Sequence, residues 1–263
     1  MNSSLFYHTF FGALLIFAFS GKVFSQTSSD PNIEYNSGMF YYSNEAEIIF
    51  SFADISSGSG QSFDQNMRWT PFFNFAGHLN YDFNKNFGLN LGIAVRNVGF
   101  IAKFDEDPND PDRIDRIKYR TYNAGIPIGF KVGDLNQEKP FFFFAGYELE
   151  LPFHYKQKDF SGSDKENKTT SWFTDRNPDL MNSLFAGIQF RSGTAIKFKY
   201  YLTEFFDPNY STLVNEVPVK PFETFNANVF YFSIEFYPFQ GVSKYINKTT
   251  PSEPPVKQAM ALW

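Results

Sequence analysis

Hydrophobicity in this chain repeats at every second residue through eight separate stretches, and that period constrains the fold more than any other feature. In TPFFNFAGHLNYDF, Phe73, Phe75, Gly77, Leu79, Tyr81 and Phe83 form one set, and Phe72, Asn74, Ala76, His78, Asn80 and Asp82 the other. In FGLNLGIAVRNVGFIAKF, Leu89, Leu91, Ile93 and Val95 alternate with Gly88, Asn90, Gly92, Ala94 and Arg96. Alternation of this kind puts the two sets on opposite faces of a strand, and no stretch of comparable length carries a helical stripe. The predicted strands cover about 45–53, 69–83, 87–104, 116–132, 139–156, 179–191, 194–206 and 222–239. Short connections (84–86, 133–138, 192–193) alternate with long polar ones (54–68, 105–115, 157–178, 207–221). That is the habit of hairpins in an outer-membrane barrel.

A soluble lipocalin-like barrel shares the period, so the inward face decides. Eight strands enclose a space that side chains just fill, and about forty large apolar residues could not all enter it. The polar set is interleaved with Gly88, Gly92, Ala94, Gly146, Ser183 and Gly187, which suits a crowded interior. The apolar set therefore faces lipid. The predicted fold is all-β: an eight-stranded antiparallel up-and-down transmembrane β-barrel of the outer-membrane type, closed because an open edge would leave backbone groups unpaired in hydrocarbon. Short turns on the periplasmic side make both termini periplasmic and the long loops extracellular. Trp69, Tyr81, Phe83, Tyr155 and Tyr237 fall near strand ends, where interfacial aromatic girdles lie. Pro127 and Pro152 each remove a ladder donor, so bulges or shortened strands are expected there.

The N-terminus adds a compartment. Phe10–Phe19 is an unbroken apolar-plus-Gly run, too short for a spanning helix of ~20 residues. It fits the core of a secretory signal over 1–25, a buried N-terminal helix being the alternative. Residues 26–44 then read as a periplasmic segment, 45–239 as the barrel and 240–263 as a Pro-containing, disordered periplasmic tail. The location implied is the cell outer membrane, with its lipid as the immediate partner and a monomer favoured. A net charge of −5 gives no reason to expect a nucleic-acid partner. The absence of cysteine excludes disulfides, thiolate metal sites and lipoprotein anchoring. No motif for a cofactor, nucleotide or metal is present.

The candidate site is a lumen charge network of Glu47, His78, Arg96, Glu148, Glu150, Lys197, Lys199 and Glu235. Glu45, Asp82, Lys131, His154, Lys156 and Arg191 are assigned to the same inward face. Charges in a narrow lumen are costly unless paired, so a salt-bridged plug is expected, with Glu148 and Glu150 partnering Arg96 and Lys197 or Lys199. A gated ion or solute path is the competing reading. In FFFFAGYELELPFHYK, Phe142 and Phe144 plug the lower lumen while Phe141, Phe143, Tyr147, Leu149, Leu151 and Phe153 face lipid. His154 with Ser161 or Ser163 would be the nucleophile–base pair of a lipid-modifying enzyme, but the register turns His154 inward. The acidic loop Asp105 to Asp112 could ligate calcium through carboxylates, although it lacks EF-hand spacing and reads better as a solvated loop.

The stretch YRTYNAGIPIGFKVGD, Tyr119 to Asp134, followed by FFFFAGYELELPF, resembles the PorT-like group of small Gram-negative outer-membrane β-barrels. Ala124-Gly125-Ile126-Pro127-Ile128 matches that group's first element, with Gly125 where an acidic residue is usual, and Phe144-Ala145-Gly146 matches the second. The resemblance covers about 45–239 and implies an accessory role in protein secretion, with other envelope or secretion-system proteins as partners. The expected function is that of a binding or scaffold barrel with a mostly filled lumen and no enzymatic activity. The alternatives are a narrow pore and, less favoured, a lipid-modifying enzyme.

Overall fold

The computed structural model describes residues 39–58, 64–104, 114–135, 140–162, 164–237 and 240–241. Eight long strands carry the chain: β1 (Met39–Ser57), β2 (Phe75–Asp82), β3 (Phe87–Lys103), β4 (Arg116–Asp134), β5 (Phe141–Ser161), β6 (Met181–Gln189), β7 (Thr194–Tyr201) and β8 (Phe225–Phe236). Each pairs antiparallel with the next, and β1 pairs with β8 from Ala46↔Phe236 to Ser57↔Phe225, which closes the ring. Closure satisfies every edge, as a wall in hydrocarbon requires. There is no helix among the described residues. The barrel starts earlier than predicted, since β1 begins at Met39 within the predicted periplasmic segment 26–44. It also ends later, with Gln240–Gly241 pairing with Tyr42 and Ser43. The predicted signal 1–25, the acidic loop Asp105 to Asp112 and the tail from 242 lie outside the described residues.

The apolar set faces out. Phe75, Leu79, Leu91, Ile126, Ile128, Phe130, Leu184, Ile196 and Phe232 are exposed, while Glu45, Glu47, His78, Arg96, Glu148, Lys199 and Glu235 are buried. On β4 the outward apolar positions run from Tyr122 to Val132. At ~3.4 Å per residue and a tilt of ~40°, that run spans about 25 Å, the height of an outer-membrane apolar band.

Four departures from the predicted strands have local causes. The predicted strand 69–83 is broken: Arg68–Thr70 pairs with β1, the chain loops out at 71–74, and β2 resumes at Phe75. Pro71 has no ladder donor, and Phe73 sits in the left-handed region at φ 64°. The buried Asn74 side chain bridges the gap, accepting from the Asn97 N–H at 2.7 Å and donating to the Thr70 carbonyl at 3.0 Å. Pro152 does adjoin a bulge, between Asn123↔Pro152 and Tyr122↔His154. Pro127 does not: the β3–β4 ladder skips Gly92 and Ile93 and resumes in the same register. The segment 157–178, predicted to be a loop, is largely strand: β5 runs on to Ser161 and the chain returns along it as Asp164–Trp172. Finally, β7 stops at Tyr201 instead of 206, and Phe205 and Phe206 turn into the barrel, where both are buried.

Candidate functional site

Three i, i+2 pairs build the middle of the lumen: Glu45/Glu47 on β1, Glu148/Glu150 on β5 and Lys197/Lys199 on β7. Strand geometry puts both members of each pair on one face, and Arg96 on β3 reaches between them. Its Nη1 donates to Glu45 Oε1 and Glu47 Oε2, both at 2.7 Å, and its Nε lies 3.4 Å from Glu148 Oε1. Lys197 Nζ meets Glu45 at 3.3 Å, Glu47 at 3.2 Å and also Glu235. Lys199 Nζ meets Glu148 at 2.6 Å and also Glu150. His78 Nε2 lies 2.9 Å from Glu45 Oε2. Asn123 and Tyr201 donate to Glu150 at 2.6 and 2.8 Å. Lower down, Lys131 bonds Asp82 at 2.7 Å, the Tyr41 hydroxyl at 2.6 Å and Asn80 Oδ1 at 3.0 Å.

Glu47 and Glu235 stand directly opposite each other on paired strands, a like-charge pair that costs stability unless a cation sits between them. Carboxylate oxygens of Glu45, Glu47 and Glu235 lie within 4.8 Å of one another, a cluster that could hold a metal ion. In this chain the Lys197 ammonium contacts all three and supplies the positive charge.

Aromatic plugs seal both sides of the network. Below it, Phe142, Phe144 and Phe185 pack with Leu135 and Ala195. Above it, Phe100, Tyr119, Tyr155, Tyr201, Phe205 and Phe206 belong to one buried cluster. Phe206 stacks on Phe222 at 4.0 Å and meets Tyr119 edge-on at 5.0 Å. A recess of about 510 Å³ opens above this plug, lined among others by Gln157, Thr169, Arg176, Tyr210 and Phe222. There Arg176 donates from Nε to the Tyr210 hydroxyl at 3.1 Å and lies over the Tyr155 ring at 5.5 Å.

The structure brings all eight predicted site residues into one network, with Glu45 linking His78 to the rest. Glu148 pairs with Arg96 and Lys199 as expected. Lys197 instead pairs with the β1 and β8 carboxylates. Three residues assigned to the inward face are not there. The bulge at Phe153 shifts the parity of upper β5, so His154 and Lys156 point outward, and the His154 ring packs on Trp172 at 4.5 Å and Tyr122 at 5.5 Å. Arg191 lies exposed at a short turn beside Asp134. Phe153 itself is buried beneath Trp172 and Tyr122. Two residues placed in the girdle also moved: Tyr155 is inside the upper plug, and the Tyr237 hydroxyl donates to Glu235 at 2.7 Å. Sequence reasoning missed Asn123, Tyr201, Phe205 and Phe206. Tyr201 was accessible in principle, because it extends the Lys197/Lys199 face by one more i+2 step.

Residues 24–211 match the family described as "Outer membrane protein beta-barrel domain". Among solved structures the chain is similar to Ail, the attachment invasion locus protein of Yersinia pestis, at 15% identity over 77% of this chain and 99% of that one, with a TM-score of 0.30. It is similar to Neisserial surface protein A at 11% identity, covering 77% and 99%, with a TM-score of 0.30. It is also similar to the outer membrane protein AlkL, solved by solid-state NMR in DMPC bilayers, at 10% identity, covering 82% and 97%, with a TM-score of 0.30. No curated protein matches. A family match over well above half the chain, on a closed eight-stranded ring with an apolar outer wall, identifies this protein as a member of the outer-membrane β-barrel domain family, resident in the outer membrane.

Proposed function

We propose that the protein is a non-conducting binding or scaffold barrel that engages partners at its long-loop end. The observation that carries this reading is the filled lumen, an ion-paired middle between two aromatic plugs. The recess above the upper plug, with its aromatic and polar lining, offers the long-loop end a ligand-sized surface. The length difference between the two sets of connections supports an orientation with short turns and both termini in the periplasm and the Asp164–Trp172 hairpin outside the cell. The apolar run Phe10–Phe19 supports export through a signal over 1–25.

The PorT-like resemblance gives the partner class, components of protein secretion, by analogy of fold. Gly125, which departs from that group's acidic position, leaves room that Glu148 fills: a Cβ at Gly125 would collide with Glu148 Oε1. The carboxylate thus reaches the same part of the lumen from the neighbouring strand.

Proteoliposomes test the non-conducting reading. Bilayers holding the full chain should stay electrically silent, and discrete conductance steps that disappear in Glu148→Ala would replace the binding reading with a pore. Deletion of the gene should alter a secreted-protein profile, and an unchanged profile removes the secretion role.

A further inference from the structure

The outer wall changes character above the aromatic row Tyr122–His154–Trp172. On β4 the outward positions that hold Ala124, Ile126 and Ile128 lower down are taken by Arg120, Lys118 and Arg116. The bulge at Phe153 turns Lys156 and Lys158 of β5 to the same side. Register then sets like charges directly opposite one another: Lys118 against Lys158, Arg120 against Lys156, and Lys158 against Lys168 of the returning strand. Such pairs are destabilising in an isolated sheet.

A recess of about 260 Å³ opens in this wall, lined by Arg68, Lys118, Arg120, Lys156 and Lys158 together with Trp69. No carboxylate lines it, and among the described residues none of these five cations is ion-paired. The recess is also preformed. Arg68 is fixed by two hydrogen bonds to Asn97, Nη2 to Oδ1 at 2.6 Å and Nη1 to the carbonyl at 3.2 Å. Arg120 lies over the Tyr122 ring at 5.1 Å, and its buried Nε has no hydrogen-bond partner. These groups stand above the apolar band. Burial first, and then the neighbouring cations, hold the Lys118 and Lys156 ammonium groups below the usual lysine range. Burial and Arg120 bring Arg68 down to about 10.

We propose that this recess binds the phosphate groups on the headgroup of an outer-leaflet phosphorylated glycolipid. Phosphate oxygens accept from several Arg and Lys donors at once, which converts mutual repulsion into shared bridges. Depth selects the occupant: the recess begins one strand step above the top of the apolar band and opens sideways from the wall, where lipid headgroups lie. The identity of the leaflet rests on the orientation given under Proposed function.

The test uses the full chain in zwitterionic phosphatidylcholine nanodiscs, titrated with diphosphorylated lipid A, dephosphorylated lipid A, phosphatidylglycerol or inorganic phosphate. Lipid A should bind and raise the unfolding temperature, and the other three should not match it. Lys118→Gln/Arg120→Gln/Lys156→Gln/Lys158→Gln should weaken lipid A binding on the order of 1,000-fold, about five-fold for each of the four near-surface cations removed. Without lipid, the same variant should unfold at an equal or higher temperature than the parent, since the opposed charges are gone, which separates lost binding from lost folding. Arg191→Gln, at the short-turn end, should bind lipid A normally. The proposal is overturned if the quadruple variant binds as tightly as the parent, if dephosphorylated lipid A or phosphatidylglycerol binds equally well, or if inorganic phosphate alone stabilises to the same extent. Orientation is read separately. Asp164→Cys in intact cells should react with an impermeant maleimide, and a protected thiol alongside phosphate-dependent binding in nanodiscs would mean an inverted barrel with a working site.

Discussion

Lys197→Met is the substitution that most directly probes the lumen. The parent ammonium is 3.2–3.3 Å from Glu47 and Glu45 and also bonds Glu235. The side chains involved are 4% exposed or less, so the ~0–1 kcal/mol typical of surface pairs does not apply. The relevant scale is that for breaking a buried pair from one side, about 3–5 kcal/mol, because the partner charge is left behind. Here it is left behind next to others: the network holds five carboxylates against three permanent cations, and losing Lys197 leaves Glu235 with no cation at all among the described residues. We predict a loss of about 3–5 kcal/mol in urea unfolding, followed by the mobility shift of unheated samples on gels. The second mutation locates the effect. Glu235→Gln added to Lys197→Met should recover about 0.5–3 kcal/mol, the range of coupling between contacting residues. Glu148→Gln added to Lys197→Met should recover none, since Glu148 pairs with Arg96 and Lys199. A single-mutant cost below about 1 kcal/mol, or equal recovery in both double mutants, would refute the claim that discrete pairings hold this lumen together.

Other parts of the wall give independent checks. Asn74→Ala removes the side chain that bridges the broken second strand, leaving the Asn97 N–H and the Thr70 carbonyl without partners; about 2–3 kcal/mol should be lost in the same urea assay. Gly146→Ala should cost about 1–3 kcal/mol, because a Cβ there would collide first with the Ile128 carbonyl oxygen and would lie 2.6 Å from the Phe185 ring and 2.7 Å from Gly129 Cα; since the tightest clash is with backbone, Phe185→Leu should restore little of that loss. Single cysteines at 155 and 156 read the bulge: Lys156→Cys should react with an impermeant thiol reagent in folded protein, and Tyr155→Cys should not. Phe205→Ala/Phe206→Ala should lower stability by several kcal/mol through cavity formation, yet planar bilayers should remain silent, because the ion-paired tier beneath stays closed.

Alternation exposed the eight strands and the inward face for a volumetric reason: an eight-stranded interior cannot hold the phenylalanines, so glycine and charge mark the inside. The same logic gathered the network, since strand parity alone aligns Lys197 with Lys199 and Glu148 with Glu150. Parity failed wherever the ladder gained or lost a residue. His154 and Lys156 were misplaced because counting by twos from Glu150 passes through Pro152 and Phe153, where the bulge adds one residue. Proline by itself did not signal this, since Pro127 sits in β4 with its register intact. What separates the two is the pairing on the neighbouring strand, which a single strand's residues do not encode. Phe205 and Phe206 failed differently. LTEFF alternates well enough to read as strand, and only the closure of the barrel mouth reveals two rings folded inward.

The bulge also explains how one strand can serve two environments. Below Pro152, β5 presents Tyr147 and Leu149 outward and Glu148 and Glu150 inward, the polarity demanded by hydrocarbon outside and a paired lumen inside. Above it, the inside is aromatic, with Tyr155 in the upper plug, and the outside is cationic, with Lys156 and Lys158 beside Lys118 and Arg120. On β4 the exchange needs no bulge, because Tyr119 and Lys118 already alternate in the required sense. On β5 the residue types alone would put Lys156 in the lumen against the Tyr119 plug and Tyr155 among the cations. One inserted residue corrects both at once. The polarity of the wall thus inverts at the depth where its surroundings change from hydrocarbon to headgroups, and because Phe153 is the added residue, its deletion would join Pro152 to His154 in regular alternation with Lys156 and Lys158 still outward. The deletion should therefore keep the folded, fast-migrating gel band and lose only the packing of the Phe153 ring against Tyr122 and Trp172, and loss of that band, or a thiol at position 156 that no longer reacts with an impermeant reagent, would refute the assignment of Phe153 as the added residue.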